Sequence, residues 1–172
     1  KEYWFADEFC ATLDRETAKI VAFNIQKHAR RLGKSVVVAT THTDLFEDLK
    51  PSVHVHKGLG KKVNVNYYPN EVNAKCSVIQ DVKIEEGSRE NWLELAPYHY
   101  RSHALPPPRR IFRACLRGET VGVIVYSHPC PCAPGRKEAL GRVLPPNELG
   151  KLSTISRVVV HPKYRSVGLG QR

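Results

Sequence analysis

Two places in the chain combine residue types that can do chemistry. The first is Asp7-Glu8, directly after the apolar run Tyr3-Trp4-Phe5-Ala6. An aspartate at the end of a buried strand can hold Mg²⁺, directly or through water, and an adjacent glutamate can polarise a water that attacks a phosphate. The second is Val158-Val159-Val160-His161-Pro162-Lys163-Tyr164-Arg165-Ser166-Val167-Gly168-Leu169-Gly170. Here an apolar strand runs into a basic loop whose glycines permit close backbone approach, and a helix is expected to start near Gly168. Unpaired N–H groups at such a start attract phosphate, and Lys163 and Arg165 add charge. Cys130-Pro131-Cys132, after His128-Pro129, has a one-residue spacing and no second pair nearby. It lacks the ligand spacing of a zinc ribbon and reads as a loop with two incidental thiols.

The elements that must position these residues follow from periodicity. Asp14 reads as a helix N-cap, and Ala18, Val21, Ala22, Ile25, Ala29 and Leu32 follow as one apolar helical stripe that Gly33 ends. Val36-Val37-Val38-Ala39 reads as a second buried strand, ending at Thr40-Thr41-His42. The opening is therefore a βαβ unit with polar residues at both strand C-termini, where open α/β sheets bind ligands. Residues 53–56 and 62–66 read as two short strands around the turn at 58–60, and a domain boundary is placed near residue 72. The second half predicts a strand over 76–84, a short helix over 90–95, and a stiff spacer at Pro106-Pro107-Pro108. A hairpin follows, with strands at 111–116 and 121–126 turning at Gly118-Glu119. Residues 129–151 read as a basic loop rich in Pro and Gly, and Thr154–Val160 as a strand.

A chain of 172 residues suits one ordinary domain or two small ones, and 41% apolar with 26% charged residues is globular composition. No apolar run approaches the ~18 residues of a membrane span, and no signal peptide is visible. The chain contains no Met, opens inside the first strand and stops inside a loop, so it is expected to be a piece of a longer protein. The net charge of +10 is uneven: residues 1–74 carry 11 basic and 9 acidic side chains, residues 75–172 carry 16 and 8. The basic half would attract polyanions such as RNA or a phosphate-rich cofactor, or would simply be a solvated surface. Five cysteines, an odd number, argue against a disulfide framework and fit a reducing cytoplasm.

The first half resembles the C-terminal half of an ABC-type ATPase domain, over about residues 1–66. The matching features are an apolar strand ending in Asp7-Glu8 like a Walker B motif, Ala11-Thr12-Leu13-Asp14 like a D-loop, and a following strand that delivers His42. The resemblance implies that Asp7 would bind Mg²⁺ and Glu8 would be the hydrolytic base. Asp14 would sit in a D-loop across a homodimer interface, and His42 would sense the γ-phosphate of ATP. No G-x-x-x-x-G-K-[ST] and no LSGGQ-like signature is present. Without the phosphate-cradling loop this chain alone is not expected to hydrolyse ATP. Either the missing half lies upstream or the domain is degenerate.

Residues 75–172 resemble the N-terminal part of the GNAT superfamily of N-acetyltransferases. Arg165, Gly168 and Gly170 match that family's [RQ]-x-x-G-x-[GA] motif, and strand, helix, hairpin and motif-bearing strand come in the family's order. The implied fold is an incomplete GNAT fold with a mixed sheet. The resemblance implies that the backbone of Val158, Val159 and Val160 would pair with the pantetheine arm of acetyl-CoA. The amides of Val167, Gly168, Leu169 and Gly170 would hold its pyrophosphate. Thr154, Ser156 and Arg157 offer no general base, Glu148 is the last acidic residue, and His161 reads as structural, so no transferase base is assigned.

The combined expectation is an α/β chain with an ABC-type half over residues 1–72 and a GNAT part over 73–172. It would act as an acyl-CoA-dependent N-acyltransferase, with acetyl-CoA the expected donor and an amine the acceptor, fused to a nucleotide-binding switch. His99-Tyr100-Arg101-Ser102-His103 is also similar to a stretch of such fused proteins. The alternatives are an RNA- or tRNA-modifying acetyltransferase, a non-catalytic CoA sensor with a degenerate ATPase, and a DNA-repair or transport ATPase with an accessory domain. No membrane partner is implied.

Overall fold

The computed structural model describes residues 2–70, 75–100 and 104–171. The expected boundary near 72 and the stretch Arg101-Ser102-His103 lie outside the described residues. The chain divides into two compact units, Lys1–Asp81 with Ser166–Gly168, and Val82–Arg165 with Leu169–Arg172. At a coarse level the architecture is α/β, with helices packed on small sheets.

In the first unit, β1 (Tyr3–Ala6) and β2 (Ser35–Val38) pair in parallel, with Tyr3 opposite Ser35 and Ala6 opposite Val38. The crossover is α1 (Arg15–Leu32). Asp14 caps it by accepting the Thr17 N–H at 3.1 Å, and Gly33 ends it with φ +63°, a left-handed conformation that costs glycine least. Ala18 and Ala22 of α1 are buried with Phe9 and Leu45, and Ala6 and Val38 pack against them. Ile20 and Phe23, which lie off the expected stripe, are buried too, while Leu32 at its end is exposed.

The two strands are not the buried strands that their apolar runs predict. Tyr3, Phe5 and Val37 are about half to three-quarters exposed at 53%, 77% and 51%. Only the alternate side chains, Trp4, Ala6, Val36 and Val38, are half-buried. In a strand successive side chains point to opposite faces, so a helix on one face covers every second residue. A hairpin, β3 (Val53–Lys57) with β4 (Val63–Tyr67), pairs antiparallel close to the expected bounds and is exposed almost throughout.

The strand expected over 76–84 begins instead with a 3₁₀ turn, Ser77–Asp81. The cause is distant in sequence. Asp48, on the one-turn helix α2 (Phe46–Leu49), is fully buried and accepts the Ser77 N–H at 2.7 Å and the Ser77 hydroxyl at 2.6 Å. That capture starts a turn where an extended chain would pair, and it seats Cys76, Val78 and Ile79 in the interior.

The second unit is a four-stranded sheet of β5 (Lys83–Glu86), β6 (Pro108–Leu116), β7 (Glu119–Ser127) and β8 (Thr154–Val160) in the order β5-β6-β7-β8. All three pairings are antiparallel. The mixed sheet expected for this half is thus antiparallel among the described residues; the parallel pair belongs to the first unit. The β6–β7 turn is Arg117-Gly118, one residue earlier than expected, with φ +50° and +92°. Two positive φ values define a turn whose twist suits a hairpin, and glycine supplies the second at low cost. The helix α3 (Arg89–Leu95) opens with Ser88 and Asn91 capping each other and buries Trp92 and Leu95. With Ala96 they form a core with Ile111, Val123, Val125 and Val159. The expected loop over 129–151 carries two short helices, α4 (Arg136–Leu140) and α5 (Pro146–Leu149), with no buried residue in either.

Asp48→Ala leaves the Ser77 N–H and hydroxyl without their buried acceptor, a loss of about 1–3 kcal/mol. Urea unfolding is expected to shift by that amount, and Asp48→Asn, which keeps one carbonyl acceptor, by less.

Candidate functional site

The residues picked out in the first unit gather at the C-terminal edge of the parallel pair. Beyond Ala6, Phe9 N–H donates to the Ala39 carbonyl at 2.9 Å, so the ladder continues past both strands. The Thr40 hydroxyl donates to the Phe9 carbonyl at 3.0 Å and accepts the His42 N–H at 3.2 Å. One threonine thereby ties the loop carrying Asp7 and Glu8 to the loop carrying His42. Asp7 and Glu8 are exposed and His42 is half-buried. Glu8 has φ +47° and donates its N–H to the Asp7 carboxylate at 2.9 Å; Cys10 has φ +61°. Left-handed backbone at two non-glycine residues is strained, so this turn is held by its surroundings. The Asp14 carboxylate is engaged as the α1 cap. Beside it, Arg15 pairs with Asp44, and the guanidinium holds the Asp44 carboxyl below the usual carboxylate range.

Against this stands what the first unit lacks. Among the described residues no three His, Cys, Asp or Glu side chains gather to hold a metal ion. No G-x-x-x-x-G-K-[ST] loop accompanies Asp7, Glu8, Asp14 and His42 in the sequence.

In the second unit β8 is the outer strand of the sheet, and its far edge has no strand beside it among the described residues. His161 N–H donates to the Val121 carbonyl at 2.9 Å, so alternation turns the Val158 and Val160 backbone groups outward. The Arg165 guanidinium closes the loop back on that edge, donating to the Val160 carbonyl at 3.1 Å and to the Tyr98 carbonyl at 3.3 Å. Arg165 therefore clamps the loop as well as charging it. Ser166 and Gly168 have φ +68° and +93°. Val167 and Leu169 are buried, at 2% and 7% exposure, and alternate with Gly168 and Gly170. Gly168 is half-buried and Gly170 is exposed. A Cβ added at Gly170 would meet nothing within 4 Å. The helix expected near Gly168 is a 3₁₀ turn, Leu169–Gln171, so no helix dipole acts there among the described residues.

The sheet face opposite α3 is open and apolar. A cleft of about 310 Å³ lies on it, lined by Ile84, Phe112, Ile124, Tyr126, Val158 and Val160 together with Leu169 and Gly170. Phe112 and Tyr126 meet edge to face at 6.0 Å. Leu169 closes over Gly122, where an added Cβ would lie 3.7 Å from its Cδ2. The β8 side chains offer no proton acceptor of carboxylate type: Ser156 shares a 2.8 Å hydrogen bond with Ser127, and Arg157 donates to the Ala104 carbonyl at 3.0 Å. Glu148 is paired with Arg142 at 2.7 Å. His161 accepts the Lys163 N–H at Nδ1 and meets the Tyr98 ring edge-on at 4.9 Å.

No family model, curated protein or solved structure matches this chain.

All five cysteines are free, and no helix among the described residues is long and apolar enough to cross a membrane. Burial pushes the Cys76 thiol up to about 12, whereas Cys130 and Cys132 are exposed. Thiolate is the reactive form, so titration of the native chain with an aromatic disulfide is expected to modify Cys130 and Cys132 quickly. Cys76 and Cys115 should react only in denaturant. Rapid labelling of Cys76 would contradict its placement.

Proposed function

We propose that this chain belongs to an acyl-CoA-dependent N-acyltransferase, with acetyl-CoA the donor and an amine the acceptor, joined to part of an ABC-type nucleotide-binding domain. The observation that carries this reading is the end of β8. An outer strand edge leads into a loop in which Ser166 and Gly170 are exposed and Ser166 and Gly168 have positive φ. Close backbone approach to a pyrophosphate needs such small residues, and Arg165-x-x-Gly168-x-Gly170 sets them at the spacing of the GNAT motif. Val158 and Val160 lend outward backbone groups to the pantetheine arm, whereas Val159, expected to share in this, turns its backbone to β7; the amides of Val167, Gly168, Leu169 and Gly170 face the phosphates. In the reaction the amine nitrogen attacks the thioester carbonyl, the C–S bond breaks, and the CoA thiol leaves as the amine sheds a proton. Backbone N–H groups stabilise the oxyanion.

In the first unit, the Thr40 link between the two loops supports the ABC-type reading of Asp7 as a Mg²⁺ ligand, Glu8 as hydrolytic base and His42 as γ-phosphate sensor. Asp14 belongs to a face that pairs two copies. The residues present hold one side of ATP, so no hydrolytic step follows from them. The free thiols accord with a reducing cytoplasm. A second reading, a CoA-binding sensor without transferase activity, is favoured by one observation: β8 carries no carboxylate.

Calorimetry of the 172-residue chain with acetyl-CoA is expected to give one site. Gly170→Ala adds a methyl group into space the fold leaves empty. It should leave the melting temperature unchanged and weaken binding about tenfold, as for losing one hydrogen bond to a charged group. No binding by the unsubstituted chain would overturn the transferase and sensor readings together; binding with no CoA release from any amine would leave the sensor. Mixed with ATP and Mg²⁺, the chain is expected to release no phosphate above the buffer rate.

A further inference from the structure

The first part of the loop after β8, residues 161–165, meets a second set of rings that the glycine positions and the apolar cleft do not use. These rings form a connected row: Tyr98 meets His161 at 4.9 Å, and His161 meets Tyr164 at 5.8 Å. Lys163 Nζ lies over the Tyr164 ring at 5.6 Å. At the neighbouring residue, His99 meets the buried Trp92 edge to face at 5.6 Å, and Tyr100 lies tilted beside His99 at 4.9 Å. The outer members are open to solvent: Tyr98 is 44% exposed and Tyr100 85%. A tyrosine that exposed stabilises no core, yet it stands beside a ring that holds it. Arg165 is joined to the same patch by its hydrogen bond to the Tyr98 carbonyl. Tyr164 is buried, so the exposed rings are Tyr98, beside Arg165, and Tyr100, two residues along the chain, in the half that carries 16 basic and 8 acidic side chains.

We propose that this aromatic and basic surface binds single-stranded RNA, with bases stacked on Tyr98 and Tyr100 and phosphates held by Lys163 and Arg165. Unpaired bases are required because a duplex hides the faces that stack, and cations are required because the backbone contributes one negative charge per nucleotide. RNA is the favoured source, since it commonly presents unstacked bases in loops and ends. Lys163 and Arg165 also belong to the loop proposed for CoA, whereas the exposed rings of Tyr98 and Tyr100 do not, so RNA binding is read apart from the calorimetry above.

The test is fluorescence anisotropy of the full 172-residue chain with a labelled unstructured RNA 12-mer, over a range of salt. Binding is expected to weaken steeply as salt rises. Tyr100→Ala should weaken it roughly 5- to 150-fold while Tyr100→Phe, which keeps the ring, restores it. Lys163→Gln should lower the slope of log affinity against log salt by about one. Arg117→Gln, at the hairpin tip, should change affinity little. The proposal is overturned if the single strand does not bind at low salt, if duplex RNA or the matching DNA strand binds as tightly, or if Tyr100→Ala binds like the unsubstituted chain with an unchanged melting temperature.

Discussion

The second unit depends on one strand. β7 is paired along both edges, to β6 and β8, and buried on the face that meets α3, where Val123 and Val125 are at most 3% exposed. Trp92 and Leu95 close that face, and each such side chain contributes about 1.5–3 kcal/mol when fully buried. Because β7 is held from three directions, β8 has a rigid edge to pair with, and only its outer edge is left for anything else. The loop beyond Val160 inherits that rigidity at its root, and Arg165 and the buried Leu169 fasten it. Functional geometry on a loop is only as good as the element that anchors it.

The first unit shows the same dependence in a weaker form. One helix covers one face of a two-stranded parallel sheet, and the strand ends are joined by Thr40. Positive φ at Glu8 and Cys10 concentrates backbone strain in the turn where chemistry was expected. Strain of that kind persists only when neighbours over-determine it, here the Phe9 and Ala39 backbone bonds and the buried Phe9 side chain.

Local features were legible in the sequence. Asp14 caps α1 and Gly33 ends it because the chemistry of a cap is written in one or two residues. Thr154–Val160 is a strand with the expected bounds. Features set by distant partners were not legible. The turn at Ser77 exists because Asp48, far away in sequence, takes its N–H. Burial of β1 and β2 was overestimated because an apolar run states what a residue prefers, not how many faces are covered. Within the candidate site, the glycine spacing was readable, but the Arg165 clamp and the ring row through Tyr98 and His161 were not. Both need residues near 98 and 161 to be neighbours, which only the fold provides.

The account rests on the outer edge of β8 and the loop after it forming one backbone cradle. The most direct measurement is an amide chemical-shift map of the isotope-labelled chain as acetyl-CoA is added. The account predicts the largest shifts at residues 158–160 and 167–170, with α1 and the β3–β4 hairpin unmoved. Saturable shifts confined to α1, β1, β2 and the β3–β4 hairpin, or none at the β8 edge when acetyl-CoA is bound, would contradict it.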